Sequence, residues 1–255
     1  MKALCTATVC SLLMISVRAQ TGLHIGGGIM PQQTWMINQD DSEAPKSEFV
    51  YVTTYGLAYT GKLGFNFGPP LGLHSGAIFS MQGQKNSYVD SASGNTVETY
   101  RKLNYLKIPV YLHVTSASGN PRDMRGVLMS LGIGLYYSML REAHVTDDGV
   151  PKYEQALANA GLEDKDLYAA DQLGITWYLG TDIRLAENWL WFNAHLRGDY
   201  SFGDAEEKLL EVNSVRWYQL GRPFTNNFNW GINLGFTIVA EVGQGSGKGG
   251  QFWFR

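Results

Sequence analysis

The stretch YVTTYGLAYTGKLGFNF, Tyr51 to Phe67, sorts its residues with a period of two. One parity carries Tyr51, Thr53, Tyr55, Leu57, Tyr59, Gly61, Leu63, Phe65 and Phe67; the other carries Val52, Thr54, Gly56, Ala58, Thr60, Lys62, Gly64 and Asn66. Successive side chains of a strand point to opposite faces, so one face is aliphatic and aromatic and the other small or polar. In a soluble sandwich the apolar face turns inward to a core. In a transmembrane barrel it meets lipid, and the small, polar face lines a narrow lumen.

The same sorting recurs along the chain. Leu106, Ile108, Val110, Leu112 and Val114 alternate with Tyr105, Lys107, Pro109, Tyr111 and His113; Val127 to Met139, Leu173 to Ile183, Leu190 to Tyr200 and Phe228 to Ile238 repeat it. Weaker versions lie at Leu23–Ile29 and Leu71–Met81. Most of these runs approach or exceed ten residues, the length a tilted strand needs to cross a bilayer. Sandwich strands average only five or six. Glycine on the polar parity also fits an eight-stranded lumen, which is just wide enough for side chains to fill. The expected fold class is therefore all-β: an eight-stranded antiparallel transmembrane barrel, an up-and-down meander with long extracellular loops.

Connections are expected to alternate, long at 37–49, 84–99, 144–168 and 202–226 and short at 68–70, 116–124 and 185–188, as bacterial barrels alternate long extracellular loops with short periplasmic turns. Gly68-Pro69-Pro70 and Ser118-Gly119-Asn120-Pro121 carry turn chemistry. In the third long loop Pro151 suits a first helical position, Tyr153, Leu157 and Ala160 share a face, and Gly161 can end the helix. Pro109 inside a strand removes a ladder donor and marks an expected bulge or irregular position.

The first residues read as an export signal. Lys2 precedes an apolar run and Val17-Arg18-Ala19 offers a cleavage site, so residues 1–19 are expected to leave, 20–243 to form the barrel and 244–255 to form a Gly-rich aromatic tail. Both cysteines, Cys5 and Cys10, fall in the signal, leaving a mature chain without disulfides or thiolate chemistry. Charged residues make up 17% and the formal net charge is −3, which excludes the clustered basic excess of a nucleic-acid binder. No later run is long and apolar enough for a transmembrane helix, so a membrane-spanning form must be a closed barrel.

The lumen face is expected to hold a structural polar network of Lys62, Lys107, His113, Asp182, Arg184, His195, Arg197 and Asp199, with His24 and His74 nearby. Charges removed from water must be paired, for example Asp182 and Asp199 with neighbouring Arg or Lys. Ser138, His144 and Ser201 fall near the outer ends of their strands, but no motif sets them as nucleophile, base and orienter. Asp40-Asp41-Ser42-Glu43 lacks the spacing of a calcium loop. No catalytic residue, metal site or cofactor is expected.

The stretch Tyr100-Arg101-Lys102-Leu103-Asn104-Tyr105-Leu106-Lys107-Ile108-Pro109-Val110-Tyr111-Leu112 resembles the fourth strand, Y-L-x-I-P, of the PorT-like outer-membrane β-barrel family of Bacteroidetes-type bacteria. Gly76 to Lys85, GAIFSMQGQK, is similar to that family's third strand. The Gly-rich tail departs from the family's usual ending. The resemblance implies an outer-membrane barrel and, through the member that names the family, a link to type IX-like secretion.

The expectation is a non-enzymatic structural or interaction protein of the cell outer membrane, an accessory of a secretion or surface-assembly machine. Its expected partners are lipopolysaccharide and other envelope proteins, met through the acidic loops or the C-terminal tail. A small pore or ligand-binding barrel is the alternative, followed by a lipid A-modifying enzyme.

Overall fold

A computed structural model describes residues 22–37, 49–68, 70–89, 94–116, 126–152, 157–159, 161–186, 189–206, 211–212, 215–216 and 225–241. The expected signal peptide, the tail, residues 40–43 and the turn at 118–121 lie outside them.

Eight long strands carry the fold: β1 (Gly22–Ile37), β2 (Thr54–Gly68), β3 (Leu71–Val89), β4 (Thr96–Thr115), β5 (Val127–Asp147), β6 (Asp171–Ala186), β7 (Leu190–Ser201) and β8 (Asn226–Glu241). Each pairs antiparallel with the next, and β1 pairs with β8 from Gly22↔Glu241 to Ile37↔Asn226, which closes the ring. Closure leaves these strands no free sheet edge at bilayer depth. Among the described residues no helix is long and apolar enough to cross a membrane.

The alternation seen in sequence is the inside–outside alternation of the wall. Tyr55, Tyr59, Leu63 and Phe67 of β2, and Leu131, Ile133 and Leu135 of β5, are exposed on the outer surface. Their sequence neighbours Thr54, Ala58, Ser130 and Tyr136 are buried inside. A continuous exposed apolar band with a polar interior inverts the ordering of a soluble protein, and hydrocarbon is the solvent that stabilises it.

Residues 69–70, 116–126 and 187–189 connect strands at one end, which also holds Gly22 and Glu241; residues 38–53, 90–95, 148–170 and 202–225 connect them at the other. The expected strict alternation of long and short connections fails at the second of the long loops. β3 and β4 continue through most of 84–99, pairing Lys85 with Tyr100 and Ser87 with Glu98, and the turn shrinks to 90–95. Gly94 takes φ +70° in that turn, a conformation glycine adopts without penalty. Strands β3, β4 and β5 run 19, 20 and 21 residues, so the sheet rises well above the bilayer at the long-loop end.

Two irregularities shape that end. Tyr105 pairs with Leu140 but Asn104 pairs with Glu142, leaving Arg141 as an extra residue in β5. Such a bulge reverses which parity faces inward: Ser130 and Ser138 are buried below it, Ala143 and Val145 above it. Of the bulge or irregular position expected at Pro109, the structure shows the irregular position. Pro109 keeps register with Tyr136, while the β3–β4 ladder lapses beside it between Ser75↔Val110 and Ile78↔Lys107. The Ser75 hydroxyl donates to the Pro109 carbonyl at 2.8 Å instead.

The third long loop corrects a second expectation. Pro151 does not start a helix; Val150–Pro151 forms a two-residue strand on Thr146–Asp147, turning through Asp148 and Gly149 at positive φ. Residues 157–159 are helical, and Gly161, at φ +71°, follows them as expected. The loop then folds back over the barrel mouth. Val145 N–H donates to Asp164 Oδ2 at 2.9 Å, Leu140 N–H to the Ala170 carbonyl at 2.8 Å, and Ala169 N–H to the Ala205 carbonyl at 3.0 Å. Met36, Leu103, Tyr105, Ala143, Val145, Tyr168 and Ala205 form an apolar cluster beneath it, with Leu140 and Leu167 packed against it.

Candidate functional site

The inward parity of the strands brings their polar side chains together in the lumen, in tiers. Midway, Lys107 Nζ donates to Asp199 Oδ2 and to Asn229 Oδ1, each at 2.8 Å. Arg197 approaches the same carboxylate from the other side, with Nε donating to Oδ1 at 3.1 Å, and its terminal nitrogen donates to Thr176 Oγ1 at 2.7 Å. Thr176 completes the ring by donating to Asp199 Oδ1 at 2.7 Å. Both oxygens of a buried carboxylate are thus hydrogen-bonded by cations and neutral donors, which a charge in a low-dielectric interior requires. Lys107 also sits 4.8 Å over the Tyr136 ring.

Asn229 links this tier upward. Its Nδ2 donates to Gln32 Oε1 at 3.1 Å, and Gln32 Nε2 donates to Ser80 Oγ at 2.9 Å and to the Met81 carbonyl at 2.7 Å. Higher still, Asn227 Nδ2 donates to the Tyr105 hydroxyl and to Gln172 Oε1, both at 3.1 Å. The apolar cluster then covers the lumen.

Toward the short-turn end lie the imidazoles. His74 stacks on His113 with ring centroids 4.2 Å apart, and His24 tilts against His74 at 5.3 Å. His74 Nε2 is 2.8 Å from Asn66 Oδ1, and His113 Nδ1 bonds the Tyr178 hydroxyl. Tyr178 in turn stacks on His195 at 4.8 Å. His195 Nε2 lies 2.9 Å from Asp182 Oδ1 and 3.1 Å from Ser130 Oγ. Asn193 Nδ2 donates to the same Asp182 oxygen. The large rings fit because glycines face them: a Cβ on Gly132 would lie 2.0 Å from the Tyr178 ring, and one on Gly64 2.2 Å from His74.

Ser130, His195 and Asp182 have the composition of a catalytic triad but not its geometry. A triad holds its carboxylate on one imidazole nitrogen and its hydroxyl on the other. Here both contacts fall on Nε2, so the carboxylate and the hydroxyl share one nitrogen, and no oriented base is made for Ser130. Ser138 and His144, which share a parity in sequence, are separated by the bulge. Ser138 Oγ donates to the Gln172 carbonyl inside the barrel, while His144 is exposed outside. Ser201 is buried, its Oγ accepting the Asn227 N–H at 2.8 Å. Among the described residues no three His, Asp or Glu side chains converge as metal ligands.

Of the residues expected in the lumen network, the structure joins Lys107, Arg197 and Asp199 in one cluster and His195 and Asp182 in another, with His113 attached through Tyr178. Asp182 is held by His195 and Asn193 rather than by a Lys or Arg. Arg184 sits half-buried at the short-turn rim, outside both clusters. Lys62 lines a lumen cavity without joining either. The amides Gln32, Asn193, Asn227 and Asn229 do as much of the bonding as the charges, yet only their inward parity marks them in the sequence.

A second cavity, of about 420 Å³, opens at the long-loop end between β5 and the third loop. It is lined by polar Arg141, His144 and Asp164 and by apolar Leu157 and Leu162.

No curated protein matches this chain. Among solved structures the chain is similar to the outer membrane protein OprG from Pseudomonas aeruginosa, with TM-score 0.49, 12% identity and coverage of 89% of this chain and 100% of that one. It is also similar to Neisserial surface protein A (TM-score 0.44, 12% identity, 85% and 96% covered) and to the E. coli outer membrane protein W (TM-score 0.36, 17% identity, 86% and 97% covered). The family model described as the outer membrane protein beta-barrel domain matches residues 13–207, and the chain belongs to that family of outer-membrane barrels.

Proposed function

We propose that this outer-membrane barrel is a closed, non-enzymatic protein that works through its long-loop end, presented outside the cell as an interaction surface for other envelope proteins. The observation that carries this reading is the succession of side-chain tiers that fill most of the lumen. The imidazole tier, the Lys107–Asp199–Arg197 tier and the amide tier succeed one another, and the Met36–Leu103–Tyr168 cluster closes over them. The wall of β3, β4 and β5 meanwhile rises past the bilayer, a costly extension for a barrel whose only task is to fill a membrane. Outer-leaflet lipopolysaccharide surrounds its base. The likeness of strands three and four to PorT-like barrels makes a type IX-like secretion or surface-assembly machine the fitting context, reached after export and cleavage near Ala19.

Planar-bilayer recording tests the closed lumen, where steady single-channel steps from the purified protein would sink the reading. Cross-linking from a reporter at Thr146 in intact cells, followed by purification in mild detergent, tests the surface. A discrete cross-linked envelope protein is expected, and a barrel that yields lipid alone at every long-loop position refutes it. The 420 Å³ cleft beside Arg141 and His144 favours a second reading, a small amphiphilic ligand bound at the outer rim.

A further inference from the structure

Lys62 is the charge that the lumen networks leave over. It projects inward from β2 between Gly26 and Gly76, its ladder partners on the two neighbouring strands. Its ammonium makes no hydrogen bond or ion pair with any described residue. Asp182 acts on it through space, but that carboxylate lies beyond ion-pair distance and is bonded to Asn193 and His195. With the half-buried Lys62, the lumen wall holds three basic side chains in this region, Lys62, Lys107 and Arg197, against two carboxylates, Asp182 and Asp199. An uncompensated charge away from bulk water is strongly disfavoured unless something neutralises it.

Lys62 lines a cavity of about 30 Å³. Two further donors on its lining have no described acceptor. The Tyr111 hydroxyl makes no hydrogen bond with any described residue, and Asn233 uses its Oδ1 to accept from Thr60 at 3.0 Å, with no described acceptor for its Nδ2. Of the side-chain acceptors on the lining, Asn193 Oδ1 already takes the Thr237 hydroxyl. The lining therefore offers three donors, Lys62, Tyr111 and Asn233, without a partner among the described residues. About 10–15 Å³ of such space accommodates one water, so the cavity takes a halide or two waters and is too small for sulfate or phosphate. Water would satisfy the donors; a halide would in addition balance a protonated Lys62.

We propose that this cavity binds one small monovalent anion of halide size, held by Lys62 Nζ with the Tyr111 hydroxyl and the Asn233 amide as its neutral donors. The site traps the ion inside a closed barrel, which makes it a structural counter-ion of the lumen.

Crystals of the full barrel grown in sodium bromide test this by anomalous diffraction. A peak within about 3.5 Å of Lys62 Nζ is expected, present in Lys62→Arg and absent from Lys62→Met. Thermal unfolding in detergent provides the second measurement, with bromide, chloride and gluconate compared at one ionic strength. Both halides should raise the wild-type midpoint saturably by about 2–4 °C over gluconate, and Tyr111→Phe should need more halide for the same rise. Bromide peaks elsewhere with only water beside Lys62, equal midpoints in the three salts, or an unchanged peak in Lys62→Met would each overturn the proposal. The wild-type salt comparison decides it even if a variant does not assemble.

Discussion

Lys107 of β4 and Asp199 of β7, on strands that are not neighbours in the barrel wall, meet across the lumen at 2.8 Å with side chains 2% and 0% exposed. The pair is a strut: it crosses the interior, and Arg197, Thr176 and Asn229 hold its two ends. Removing one partner of a buried pair leaves an under-compensated charge, which costs about 3–5 kcal/mol. Because Arg197 remains on Asp199, Lys107→Met should fall at the lower end of that range. Urea unfolding in lipid vesicles checks it, and the Lys107→Met/Asp199→Asn double variant should cost clearly less than the sum of the singles.

Lys85 and Glu98 are equally close, 2.7 Å, on the projecting β3–β4 hairpin, but their side chains are 36% and 51% exposed. Screening and side-chain entropy leave such a pair within about 1 kcal/mol. Glu98→Gln should shift the unfolding midpoint barely at all, and what it does shift should vanish at high salt. A loss comparable to that of Lys107→Met would show that the hairpin folds into a less solvated setting.

Gly132 of β5 lies under the Tyr178 ring, where a Cβ would stand 2.0 Å from a ring carbon, whereas Gly203 has open space around it. Gly132→Val should therefore push Tyr178 off His113 and His195 and destabilise the barrel by about 1–3 kcal/mol. Gly203→Ala should be neutral. Heat-modified gel mobility, scored over a temperature series, separates the two variants.

Leu103 is fully buried in the apolar cluster that closes the long-loop end. Leu103→Ala should cost about 2–5 kcal/mol of local packing. Because the cluster stands above the spanning strands, the loss should appear as faster protease cleavage within 148–170 while the membrane-embedded barrel stays resistant. Cleavage at the wild-type rate would mean that the loop is held by its hydrogen bonds to β5 and to Ala205 rather than by the apolar cluster.

Leu131 is 46% exposed on the outer face of β5, midway along the wall. Arginine at that depth meets hydrocarbon and should cost about 2–4 kcal/mol, measurable as a lower yield of folded barrel in vesicle insertion assays. Thr146→Arg on the same strand, above the bilayer, should insert as well as wild type.

Much of the barrel wall is legible in the amino-acid sequence. The period-two sorting of Tyr51–Phe67 and of Val127–Met139 is imposed by strand geometry and by two different solvents, lipid outside and a narrow polar lumen inside, and local sequence suffices to encode it. The number of strands, the antiparallel order and the parity of Lys107, Asp199 and His195 followed from it.

What the strands do above the bilayer was not readable in the same way. Residues 84–89 and 96–99 have loop-like composition, yet they continue the ladder because a paired partner was already in register beside each of them. Pro151 has the signature of a helix start, yet pairing with Thr146 holds it extended. The bulge at Arg141 moves His144 away from Ser138 through one unpaired residue, a choice set by the packing of Ala143 and Val145 under Tyr168.

The sequence by itself thus determined the wall of this protein, which residues face lipid and which face inward, because alternation is a local property of the chain. Only the tertiary structure decided which inward groups meet. Asp199 reaches Lys107 rather than Lys62, and Lys62 is left facing a cavity, because ring closure and the stagger of eight strands fix distances between residues far apart in the chain. No local pattern carries that information.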